Sequence, residues 1–60
     1  MTKKDYVKIA EVLNDCWKHY ENDPESKYFV EILINDFARM LQNDNSRFNW
    51  VRFENACKKD

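Results

Sequence analysis

The side chains that could do chemistry in this sequence are one histidine and two cysteines. His19 follows Asp15 by four positions, which on a helix places an imidazole one turn from a carboxylate, as in a metal pair or an acid/base dyad. Catalysis also needs a pocket that shields such groups, and this pair falls among the polar side chains of an amphipathic helix. We therefore interpret both residues as solvated surface and predict no metal site.

The two cysteines offer no stronger site. Cys16 and Cys57 are too few for a disulfide framework, and they lack the close spacing of a zinc knuckle or a redox Cys-x-x-Cys pair. Each falls on an apolar stripe with helical spacing, so we interpret both as reduced, buried hydrophobic residues; a bridge between them stays open at this point. The sequence predicts a protein that is not an enzyme and that needs no cofactor.

Composition restricts the function classes further. Sixty residues with no glycine and one proline predict a single helical domain over 1–60, and they exclude the glycine-rich loops that cradle phosphates. Ten Lys and Arg against eleven Asp and Glu give a formal charge of −1, so no strong overall field attracts nucleic acid or an anionic membrane. Because no apolar run matches a secretory leader or a membrane span, we expect a cytoplasmic protein.

The first element that positions these residues is a helix predicted over 3–21. Thr2 can cap it through its hydroxyl, and Asp5 lies in the first turn, where the helix dipole favours a carboxylate. The polar side chains of this helix, Asn14 among them, are predicted to face solvent. Its apolar residues recur at spacings of three and four and form one stripe: Tyr6, Ile9, Ala10, Leu13, Cys16, Trp17 and Tyr20.

The second helix is predicted over 24–42. It begins after Asp23, because Asp accepts the free amides at an N-cap and Pro24 presets φ at the next position. Tyr28 and Ile32 project away from the main stripe, so this helix is apolar over a wider face than one intramolecular partner covers. The main stripe spans nearly half of the helix circumference: Phe29, Val30, Leu33, Ile34, Phe37, Ala38, Met40 and Leu41.

A turn and a third helix complete the chain. Residues 43–46 predict a turn that ends the second helix without glycine, because Asn tolerates the left-handed conformation. Asn49 is the best N-cap for a third helix over 50–58. It places Phe48 just outside that helix and Phe53 at its fourth position, the pairing called a hydrophobic staple.

The predicted core is small for independent stability. A domain of this length buries only about 60% of the surface that its unfolded chain exposes, so dense packing or a second chain must add to it. The apolar width of the second helix, with Val7 and Val12 off the main stripe of the first, favours a second chain. We predict an all-α three-helix unit that forms a homodimer through its central helix.

These features favour protein binding as the function. Tyr28 and Ile32 are each open to two uses at this point, contact with a second copy or contact with a foreign partner. The candidate residues for protein binding or dimer contact are Tyr28, Ile32, Arg39, Arg47, Trp50 and Arg52.

The alternative function is a small DNA-binding regulator that uses the third helix. Several cations lie there beside Trp50: Arg47, Arg52, Lys58 and Lys59. Glu54 and the overall acidic balance count against it, because residues 46–60 carry a net charge of only about +2.

Two short patterns lie at the ends of the chain: residues 4–10 match K-D-Y-x-x-I-A, and residues 44–57 match D-N-x-R-F-x-x-x-R-F-x-x-A-C. Through these patterns the chain resembles a family of very short proteins encoded by bacteriophages and prophages. Ser46 and Asn49 stand where members often have Pro and Asp, and both changes preserve a turn and a cap. The resemblance implies a phage origin, and small phage accessory proteins of this kind commonly act by binding and blocking a bacterial host protein, including components of anti-phage defence systems.

Overall fold

The computed structural model describes residues 2–59, which form three α-helices and no strand. The helices are α1 (Lys3–His19), α2 (Pro24–Asp44) and α3 (Trp50–Cys57). The predicted all-α, three-helix fold is confirmed, although the prediction ends α1 two residues late, α2 two residues early and α3 one residue late. None of the helices in the described part of the chain combines the length and apolar character needed to cross a bilayer.

Helices α2 and α3 begin at the predicted caps. The carboxylate of Asp23 accepts hydrogen bonds from the Ser26 amide at 3.3 Å and from the Ser26 hydroxyl at 2.8 Å. These hydrogen bonds hold the pKa of the Asp23 carboxyl below its ordinary value. Oδ1 of Asn49 accepts from the Arg52 amide at 3.0 Å. Both caps satisfy amides that the first turn of a helix leaves without a partner.

The turn between α2 and α3 differs from the prediction. No residue within 2–59 has a positive φ, so the expected left-handed Asn is wrong. Asn45 instead has an extended backbone, with φ −144° and ψ 108°. Its Oδ1 accepts from the Arg47 amide at 3.0 Å, and its carbonyl oxygen accepts from the Phe48 amide at 2.9 Å. The Asn45 side chain thus accepts a hydrogen bond from the backbone of the turn, which needs no residue in the left-handed conformation.

The core lies where the three helices meet. Phe48 is packed between two rings, with ring centroids 5.1 Å from Tyr6 and 5.3 Å from Phe53. The second contact is the predicted hydrophobic staple, which is confirmed. The buried residues are Ala10, Leu13, Val30, Ile34, Ala38, Leu41, Phe48, Phe53 and Cys57.

Part of the predicted core of α2 is exposed. The sequence places Phe29, Leu33 and Met40 on the main apolar stripe of α2, but the structure leaves all three exposed to solvent. The reason is that two neighbouring helices cover only the sector around Val30, Ile34, Ala38 and Leu41. Tyr20, the last residue of the predicted α1 stripe, is also exposed because α1 has ended before it.

Contacts between the helices show their relative directions. The α1 and α2 helices are antiparallel, with Nδ2 of Asn45 3.4 Å from the Tyr6 hydroxyl. The α3 helix runs in the same direction as α1, because Asn14 reaches its last residue, Cys57. Asn14 is half-buried by this contact, so its predicted place on the solvated side is wrong. The N-termini of α1 and α3 therefore lie at the same end of the molecule.

Candidate protein-binding surfaces

The predicted surface residues lie on two separate faces. Tyr28, Ile32 and Arg39 are exposed along α2. Arg47 and Arg52 are exposed around the start of α3, beside the first turn of α1. The sequence presents these residues as one candidate set. The structure separates them into an apolar face and a cationic face.

Trp50 and His19 are two further residues that the sequence analysis considers. Trp50 is half-buried and packs against the core, so less of its ring is open to a partner than its position suggests. His19 is exposed, with its ring 4.7 Å from that of Tyr20. Among residues 2–59, no group of three or more His, Cys, Asp or Glu side chains is placed to hold a metal ion.

Both cysteines are free thiols, and no bridge joins them. Cys57 is fully buried in the core, as predicted, whereas Cys16 is half-buried at its edge. Burial, assisted by the negative charge of Glu54, raises the pKa of the Cys57 thiol to about 11. The Cys57 thiol is therefore protonated near neutral pH, and its role is packing.

The exposed residues of α2 between positions 28 and 40 form one continuous surface, which we name the α2 face. They fall within a sector of about 140° at about 100° per residue. Two of them, Asp36 and Arg39, form an ion pair at 3.8 Å, so the face has no net charge. Its large apolar residues, with their exposed fractions, are Tyr28 (61%), Phe29 (62%), Ile32 (40%), Leu33 (45%) and Met40 (47%).

The second surface is a groove between α1 and α3, which we name the α1–α3 groove. Two adjoining depressions of about 420 and 330 Å³ form it, and both are lined by Val7, Ala10 and Ala56. No residue of α2 lines either depression, so the groove faces away from the α2 face. Its cations stand at its two ends: Lys3, Arg47 and Arg52 at one, Lys18 and Lys59 at the other.

The groove concentrates the positive charge of a slightly acidic chain. Its lining holds five cations and one carboxylate, Glu11, whereas the rest of the chain holds five cations and ten carboxylates. The parallel α1 and α3 also place both N-terminal dipole ends beside Lys3, Arg47 and Arg52. This separation of charge arises only when α1 and α3 pack together, so the net charge of −1 does not reveal it.

The ammonium group of Lys58 forms ion pairs within the protein. Nζ of Lys58 lies 3.1 Å from a carboxylate oxygen of Glu31 in α2 and 2.9 Å from one of Glu54. Partial burial alone would lower the pKa of Lys58, but the hydrogen bonds that its ammonium group donates to Glu54 and Glu31 outweigh this effect and raise that pKa. Lys58 and Lys27 also approach the ring of Trp17, at 5.5 and 4.2 Å from its centroid. Lys58 therefore joins α3 to α2.

Comparison with known proteins identifies no relative from which a role for these surfaces could be inferred. No protein family, curated protein or solved structure matches this chain.

Proposed function

We propose that this protein is a non-enzymatic, phage-derived accessory protein of the host cytoplasm. It forms a homodimer through the α2 face, and it binds and blocks a bacterial host protein. The observation that carries the proposal is the α2 face itself, where five large apolar side chains are 40–62% exposed on a domain of sixty residues. Contiguous exposed apolar surface of this kind usually marks an interface.

A second copy of the chain fits the α2 face. The face carries one carboxylate and one guanidinium that neutralise each other, so two copies meet without repulsion. In a two-fold antiparallel pair centred near residues 34 and 35, Phe29 lies level with the partner's Met40, and Met40 with the partner's Phe29. Each aromatic ring is thereby matched with a flexible thioether that can fill the space around it.

The host-directed part of the function uses the surface that dimerisation leaves open. The α1–α3 groove is on the side of the molecule away from the α2 face, so a dimer presents two grooves. The resemblance of residues 4–10 and 44–57 to short phage proteins supports a host protein as the partner, including a component of an anti-phage defence system.

The DNA-binding alternative has one feature in its favour, the exposed Arg47 and Arg52 at the start of α3. Two others count against it. The α3 helix has eight residues and is about 12 Å long, and Lys58 is held by two carboxylates. A salt titration of binding to mixed-sequence duplex separates the two functions, because a phosphate-binding surface gives a steep salt slope.

Affinity capture tests the host-directed part directly. The tagged full chain is incubated with bacterial lysate, and retained proteins are quantified against an unrelated acidic helical protein of similar size. We expect one host protein to be retained in near-stoichiometric amount and its purified activity to fall when the chain is added. Retention of nucleic acid alone, or of no specific protein, would contradict the proposal.

A further inference from the structure

We propose that the α1–α3 groove binds an acidic amphipathic helix of the partner protein. This rests on the proposed function, because it gives the chemistry of the same partner. Three properties of the groove lead to it: an apolar floor, a length that matches a short helix, and cations at both ends.

The floor of the groove is apolar and shallow-walled. Val7 is half-exposed there, off the stripe that packs α1 into the core. Ala10 and Ala56 flank it with the smallest side chains that have a Cβ, so a bulky apolar residue of a ligand has space between α1 and α3. An amphipathic helix inserts such residues into a groove at every third or fourth position.

The length and backbone chemistry favour a helix over an extended segment. The residues that line the groove extend along α1 from Lys3 to Lys18, about 22 Å or four helical turns, and α3 forms the opposite wall over eight residues, about 12 Å. An extended peptide gains main-chain hydrogen bonds by adding to a free sheet edge, and residues 2–59 contain no strand that could offer one. A helix satisfies its own amides and carbonyls and needs from the groove only apolar contact and charge.

The charge pattern requires an acidic partner. Neither Arg47 nor Arg52 forms an ion pair within the described residues, so both guanidinium groups are free to bind carboxylates in the two-pronged geometry that arginine favours. Lys3 and the N-terminal end of α3 add to the positive potential there. Carboxylates of the partner helix therefore concentrate at this end, and fewer are needed beside Lys18 and Lys59.

Nucleic acid fits the same surface less well. Phosphates would meet the apolar Val7 at the centre of the groove instead of a continuous row of cations. Unpaired bases stack on exposed aromatic rings, and of the aromatic residues that line the groove, Phe48 and Phe53 are buried and Tyr6 is half-buried. An acidic protein helix satisfies both the apolar floor and the cationic ends.

Nuclear magnetic resonance of the ¹⁵N-labelled full chain tests this assignment. The probes are an acidic amphipathic peptide of about 16 residues, with Leu at helical spacing and Glu on its flanks, its Lys-for-Glu counterpart, and a mixed-sequence DNA duplex. We expect the acidic peptide to shift the amide signals of Val7, Arg52 and Ala56 in a saturable way. The basic peptide should leave them unchanged.

Two variants with the same change of charge locate the binding. Arg52→Glu lies in the groove, and Lys8→Glu lies on an exposed part of α1 outside it. We expect Arg52→Glu to weaken acidic-peptide binding at least about tenfold and Lys8→Glu to change it less than about twofold. Far-ultraviolet circular dichroism checks that both variants remain folded.

Three results would overturn the proposal. They are the absence of any saturable shift at about 1 mM acidic peptide, shifts confined to the α2 face, and tighter binding of the duplex than of the peptide. Sedimentation and lysate capture are run on the same samples. A chain that is dimeric and captures a host protein but fails these peptide tests refutes the groove assignment and leaves the proposed function intact.

Discussion

Nδ2 of Asn14 in α1 lies 3.0 Å from the carbonyl oxygen of Cys57, the last residue of α3. The last carbonyls of a helix have no partner within it, and Asn14 supplies the missing donor from another helix. The same amide also donates to the carbonyl oxygen of Lys59. One side chain thereby joins the two walls of the α1–α3 groove across 43 positions of sequence.

Replacing Asn14 tests the strength of this link. Asn14→Ala leaves two carbonyl oxygens without their donor, and we expect it to lower the free energy of unfolding by about 1–2 kcal/mol relative to Asn55→Ala. Asn55 is an exposed helical asparagine, so the control has the same change in helix propensity. Urea unfolding followed by circular dichroism measures both. Equal effects of the two substitutions would show that the link does not stabilise the fold.

The aromatic cluster around Phe48 is expected to be essential for folding. Phe48→Ala removes a ring packed between Tyr6 and Phe53, at a cost of about 3–5 kcal/mol, which approaches the whole stability of a domain this small. Phe29→Ala removes the same ring from an exposed position and should change the stability of the dilute monomer by less than about 0.5 kcal/mol. Thermal unfolding of both variants provides the comparison, and similar losses would contradict the placement of the two rings.

The two cysteines should differ in reactivity. Because burial raises the pKa of Cys57 to about 11, its thiol is protonated and covered at pH 8, whereas Cys16 is half-buried. We expect iodoacetamide to add one group per native chain, at Cys16, and a second only after unfolding in urea. Mass spectrometry of the intact chain counts the adducts, and native Cys16→Ser should remain unmodified. Rapid modification of Cys57 in that variant would contradict the buried position.

The Lys58 contacts predict a loss of stability at alkaline pH. Glu54 and Glu31 raise the pKa of Lys58, so the folded state favours its ammonium form. The resulting stabilisation is complete below the unfolded-state pKa of about 10.4 and disappears as pH rises through the folded-state pKa. We expect the difference in unfolding free energy between wild type and Lys58→Met to narrow from pH 8 to about pH 11. Lys8→Met, at an exposed position of α1, is the matched control for the loss of a lysine side chain.

The helix starts could be predicted because their signals are local. Asp23 accepts from Ser26, and Asn49 from Arg52, each only three residues away, so the sequence contains both partners within one turn. The staple between Phe48 and Phe53 is equally local. The three-helix order follows from these caps and from the apolar spacing between them.

The surfaces could be predicted only in part, because they depend on how the helices are rotated against one another. The stripe of α2 is wider than its neighbours cover, and spacing alone does not tell that Phe29, Leu33 and Met40 are the residues left outside. The sequence does not predict the groove as a unit. It identifies Arg47 and Arg52 as candidates, but no local signal joins them to Lys3, which is more than forty residues away. That proximity appears only when α3 lies parallel to α1.

Single substitutions on the α2 face provide the variants for the central claim. Leu33→Glu places a charge within the face, whereas Val51→Glu places the same charge on α3, at an exposed valine outside both surfaces. Burying an unpaired carboxylate in an interface is strongly unfavourable, so Leu33→Glu should separate the subunits. Val51→Glu should leave them associated.

Sedimentation equilibrium of the full chain tests the claim most directly. Concentrations up to about 1 mM detect a dimer even when its dissociation constant is of that size. We expect wild type and Val51→Glu to approach twice the chain mass of 7.4 kDa, and Leu33→Glu to remain at the mass of one chain. A wild-type chain that sediments as a monomer at the highest concentration would contradict a dimer through the α2 face.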